Sequence, residues 1–120
     1  MAKAEPNFPI ARAVVVPTTA GIVATIPTTV DRILVTASIV INYGFESSTF
    51  NIWLLPATGG TTANEEASLL FKRVGAFETL ELDEIIGQHI EGGGTIRAES
   101  SVVNALSFTA NGTTFPLGYD

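Results

Sequence analysis

Apolar and polar residues alternate with a period of two along most of this chain. In residues 31–43, Ile33, Val35, Ala37, Ile39 and Ile41 fall on one face and Arg32, Thr36, Ser38 and Asn42 on the other, the pattern of a β-strand. Leu34 and Val40 make the second face partly apolar, which predicts a central strand or one that meets another subunit. Residues 44–48 read as a turn. Residues 49–55 then carry Phe50, Ile52 and Leu54 opposite Asn51, Trp53 and Leu55, and the two runs are expected to pair as a hairpin.

Shorter runs surround this pair. Residues 13–16 end at Pro17 and residues 22–26 at Pro27, and prolines at strand ends point to edge positions. Residues 64–71, NEEASLLF, fit a helix capped by Asn64, but residues 68–74 also alternate as a strand. The strand reading, after at most one helical turn, agrees with the surroundings. Residues 77–83 place Leu80 and Leu82 inward and Thr79, Glu81 and Asp83 outward, residues 88–91 form a brief extended piece, and Gly92, Gly93 and Gly94 interrupt it. Residues 95–99 and 103–110 resume the alternation, and Asn111-Gly112 is a strong signal for a type I′ hairpin turn, with 113–115 as its return strand. About eight short strands without a convincing helix predict an all-β protein: an antiparallel, jelly-roll-like β-sandwich. Residues 1–12, with Pro6, Pro9 and the apolar Phe8 and Ile10, read as an extended N-terminal arm, leaving 13–120 as the single domain. Such an arm either frays or docks Phe8, Pro9 and Ile10 on a neighbouring subunit.

A length of 120 residues suits one domain with a core of its own, and no cysteine is present for disulfide or zinc staples. Six basic residues stand against twelve acidic ones, for a net charge of -6. The basic residues are scattered, so a phosphate backbone is repelled and nucleic acid is not an expected partner. Charged residues are only 15% of the chain and hydrophobic residues 46%, so the chain is expected to fold and to hide further surface in a homo-oligomer. The N-terminus lacks a signal-peptide pattern, and the longest apolar stretch, 33–41, is far short of the roughly 20 residues that span a bilayer. A soluble, unprocessed chain without a membrane partner is expected.

Candidate chemistry is sparse. A phosphate loop needs a helix after its glycines, whereas Gly92-Gly93-Gly94-Thr95 runs into a strand, so a turn or bulge is the expected role. His89 is the only histidine, and the acids Glu81, Asp83, Glu84, Glu91 and Glu99 lack calcium-loop spacing and read as a solvated face. No catalytic residues, metal site or cofactor are assigned, and an enzyme is not expected. Trp53, Phe50, Tyr43 and Phe45 cluster around one hairpin, as core or interface anchors or as a sugar-stacking surface.

The order ILVTASIVIN, FNIWLLP, a small-residue loop, LLFKRV, FETLEL, GQHI, IRAES, VVNALSFTA and a closing NG resembles small β-sandwich structural proteins of tailed bacteriophages. It covers about residues 30–115, without the arm, and the triple glycine is longer than the turn such modules keep there. The resemblance implies a non-enzymatic virion structural protein, made in the bacterial host cytoplasm. It would act as a capsid decoration or cement protein or a neck protein, stabilising the particle through contacts with other virion proteins. Phe8, Pro9, Ile10, Trp53, Gly92, Gly93 and Gly94 are the candidate assembly contacts. The alternative is a carbohydrate-binding, receptor-recognition module of a tail tip or fibre, with Trp53 and residues 56–62 at the sugar.

Overall fold

A computed structural model describes residues 4–57 and 70–118. These form nine strands: β1 (Glu5–Val15), β2 (Gly21–Thr25), β3 (Val30–Asn42), β4 (Ser48–Leu55), β5 (Leu70–Val74), β6 (Thr79–Glu81), β7 (His89–Glu91), β8 (Thr95–Ser100) and β9 (Leu106–Pro116). Every pairing is antiparallel. One sheet has the order β1-β9-β3-β6, with β7 also on β3, and the other has the order β2-β8-β4-β5. The strands β7 and β6 share one edge of β3, at Arg32–Leu34 and Ile39–Ile41 respectively. The result is an all-β sandwich, and residues 68–74 resolve as strand from Leu70 onward. Residues 64–69, where the helical turn was expected, and 58–62 of the proline-glycine loop lie outside the described residues.

Between the sheets lie Ile33, Val35 and Val40 of β3, Leu106, Phe108 and Ala110 of β9, Phe50 and Ile52 of β4, and Ile96 and Ala98 of β8, all buried. The alternation expected along β3 holds only to Val35. A register shift between Val35 and Ala37 against β9 makes Thr36 an extra residue, and the buried set changes from Ile33 and Val35 to Ser38, Val40 and Asn42. A bulge in a period-two element flips every side chain beyond it. Ala37 is therefore exposed, and Ile39 and Ile41 are only half-buried.

Two expected pairings change. The strands β3 and β4 do not form a hairpin, because residues 43–47 carry the chain from one sheet to the other. Asn111-Gly112 does not turn: it lies inside β9, with Pro9 and Phe8 opposite on β1 and Ala37 and Val35 opposite on β3. Two flanking ladders outweigh the local turn preference. Glycine is still required, because a Cβ on Gly112 would lie 2.6 Å from the Leu34 carbonyl oxygen and 2.9 Å from Ile10 Cδ1.

The segment expected as an arm is extended, but it is the first part of the edge strand β1, paired with β9 of its own chain from Glu5 onward. Phe8 and Ile10 are half-buried against the domain's own core. Three register shifts, together with positive φ at Asn7 and Ala13, bend this strand. Pro6 and Pro9 are tolerated because an edge strand has donors to spare on its open side.

Candidate functional site

The sequence-derived contacts do not gather in one place. Phe8, Pro9 and Ile10 are on β1, as described. Trp53 is only 2% exposed, on the face of β4 opposite Phe50 and Ile52 and level with Arg97 of β8, so it presents no ring to a ligand. Gly92, Gly93 and Gly94 form the crossing from β7 to β8, between the sheets. Their amides donate to the carbonyls of Asp31, Ile26 and Glu91, each at 2.9 Å, and the Gly94 carbonyl accepts from Ile26 at 2.9 Å. All three donors are therefore satisfied within the protein, which leaves no nest for an anion. A Cβ on Gly92 would stand 2.0 Å from the Val30 oxygen, and one on Gly94 2.7 Å from the Leu55 oxygen. These glycines permit backbone to press on backbone, which is a structural role rather than that of a protruding contact loop.

Beside this crossing opens a cleft of about 530 Å³, between the start of β3, the end of β4, and β7. Leu54, Leu55, Pro56 and Ile90 supply apolar surface, and Asp31, Arg32, His89 and Glu91 supply polar groups. Antiparallel register sets Arg32 opposite both Glu91 on β7 and Phe115 on β9. The Arg32 guanidinium lies over the Phe115 ring, 4.2 Å from its centroid, and its Nη1 donates to Asp31 Oδ2 at 2.7 Å. Glu91 Oε1 accepts from the Ala57 amide at 2.7 Å, tying the end of β4 to β7. The His89 ring stands tilted to Phe115, at 6.1 Å between centroids. Sequence reasoning singled out His89 and Glu91 but missed Asp31, Arg32 and Phe115 as their neighbours. The one signal was a charged pair at the head of the most apolar strand.

The opposite end is apolar. Phe45 is 91% exposed and Phe77 63%, and their rings meet edge to face at 5.3 Å between centroids. Tyr43 and Val103, also exposed, lie in the neighbouring turns. These turns are firmly held. Buried Asn42 donates through Nδ2 to the Glu46 and Val74 carbonyls at 2.9 and 3.0 Å, and its Oδ1 accepts from the Gly44 amide at 2.9 Å. The Tyr43 amide donates to Ala105. In the 75–78 turn, Glu78 Oε1 accepts from Gly75 at 2.7 Å and Phe77 sits at φ 61°, a left-handed conformation that is costly for an aromatic residue.

Between the ends, Lys72 of β5 and Glu84, in the turn after β6, form an ion pair at 2.8 Å that joins the two sheets at one flank. The hydrogen bond from Lys72 holds the Glu84 carboxyl below the usual carboxylate range, while a hydrogen bond with Asp83, together with its charge, raises Glu81. Among the described residues no cluster of His, Asp and Glu is close enough to hold a metal ion. No family model matches the chain, and no curated protein or solved structure matches it.

Proposed function

We propose that the chain is a single jelly roll serving as a non-enzymatic structural protein of a virion, a capsid decoration or cement protein or a neck protein of a tailed phage. The observation that carries this reading is the strand pairing. With the short β7 set aside, the remaining eight strands among the described residues pair first with eighth, second with seventh, third with sixth and fourth with fifth. Alternate pairs fall in opposite sheets, as when a long hairpin is rolled up. Viral capsid domains are among the proteins built on such rolls. The wedge of Phe45 and Phe77 supports the same reading, since rigidly held exposed aromatics suit an interface anchor better than a solvated turn.

In this reading the aromatic end, and not the N-terminal segment, contacts neighbouring subunits. The test is light scattering coupled to size exclusion on the purified chain. The wild type is expected to form a discrete oligomer that the double variant Phe45→Ser, Phe77→Ser converts to a folded monomer. A wild type that remains monomeric up to its solubility limit counts against the reading. Electron microscopy of virions containing the chain would then separate head from neck.

A further inference from the structure

We infer that the cleft between Asp31, His89 and Glu91 is a binding site for an uncharged sugar unit of a glycan, a role separate from the assembly contacts above. Its volume, about 530 Å³, is that of an ordinary ligand pocket, for which roughly 300–1,000 Å³ is typical. Its chemistry narrows the ligand class. Arg32, the one cationic side chain among the described lining residues, is already bonded to Asp31 and stacked on Phe115, so Glu91 is the uncompensated charge and disfavours an anionic ligand. A purely apolar ligand would strip water from four polar side chains without replacing their hydrogen bonds. A metal ion lacks a ligand cluster among the described residues.

What fits is a molecule with several hydroxyl donors on one side and a C–H face on the other. The hydrogen bond to Ala57 fixes Glu91 through Oε1 and leaves Oε2 to accept. The ion pair fixes Asp31 through Oδ2 and leaves Oδ1. The imidazole of His89 offers a nitrogen beside them, and Leu54, Leu55 and Pro56 form an aliphatic wall for the C–H face. These groups stand on strand ends locked by the glycine crossing, so a sugar would meet preorganised acceptors. Trp53 has no part in this site, because it is buried on β4.

The test is a glycan array probed with the labelled full chain, followed by titration of any neutral glycan it retains. Saturable binding to at least one neutral glycan is expected, with inorganic phosphate failing to compete. His89→Ala and Glu91→Gln, both at exposed side chains, should each weaken binding about tenfold, the scale of one lost hydrogen bond to a charged or polar partner. Ile22→Ser, on the edge strand β2, should leave it unchanged. Circular dichroism of each variant reports folding independently. The inference is overturned if no neutral glycan binds, if only sulfated or sialylated glycans bind, or if the folded double variant His89→Ala, Glu91→Gln binds as well as the wild type.

Discussion

At the end that bears Phe45 and Phe77, turns are held by a buried asparagine and a glutamate, and they hold apolar rings out in solvent. At the end that bears His89 and Glu91 the crossing is all glycine, backbone packs on backbone, and the exposed groups are polar. Both ends solve the same problem, carrying the chain between two sheets while giving backbone amides of the crossing partners within the protein. The first solution leaves side chains free to protrude as an anchor. The second draws the backbone inward and leaves a hollow beside it. The two surfaces are therefore suited to different partners.

The largest expected effect is that of Trp53→Ala, which removes a large buried ring from the strand that ends at the cleft and should cost about 3–5 kcal/mol in urea unfolding. A loss below about 1 kcal/mol would mean that the indole does not frame that end. Next is Gly92→Ala, where the added Cβ meets the Val30 oxygen; overpacking there is expected to cost about 3 kcal/mol. Gly87→Ala, with open space but positive φ, should cost only about 1 kcal/mol, so equal losses at the two glycines would contradict the account of the crossing. At the aromatic end, Asn42→Ala strands the Gly44 amide and two carbonyls. It should cost about 2 kcal/mol and speed hydrogen exchange at Gly44. Phe45→Ser should shift stability by less than about 0.5 kcal/mol, because the ring is almost wholly exposed, while changing self-association.

The smallest effects are electrostatic and lie on the flank. Glu84 has a lowered folded-state pKa, so its contribution is present above the ordinary carboxylate value and is lost as pH falls through the lowered one. Glu81 has a raised pKa, so its contribution is present below the ordinary value and is lost as pH rises through the raised one. At neutral pH, Glu84→Gln should lower Tm slightly and Glu81→Gln should raise it slightly, and both differences should vanish in acid. Thermal melts at neutral and acidic pH check both signs.

Strand class and most strand positions were legible because period-two alternation is local: Leu82 is buried and Glu81 and Asp83 exposed, as the pattern implies. Pairing was not legible. The bulge at Thr36, the continuation of β9 through Asn111-Gly112 and the separation of β3 from β4 all depend on partners distant in the chain. The same limit hid the cleft, since Arg32, Leu55 and Glu91 meet only when β3 pairs with β7 and the glycine crossing draws in the end of β4. The exposure of Phe45 was hidden too. A phenylalanine beside a strand normally reads as core, and only the turn geometry set by Asn42 turns it outward.

The position of β9 has a consequence for how the domain comes into being. This strand, residues 106–116, lies between β1 and β3, so during synthesis β1 waits for a neighbour made about a hundred residues later. Contacts between such distant segments make folding slow, on the order of milliseconds to seconds for all-β domains. Through that interval β1 is an unpaired strand in a crowded cell, open to pairing with other nascent chains. Its two prolines and its irregular backbone at Asn7 and Ala13 make it a poor template for them.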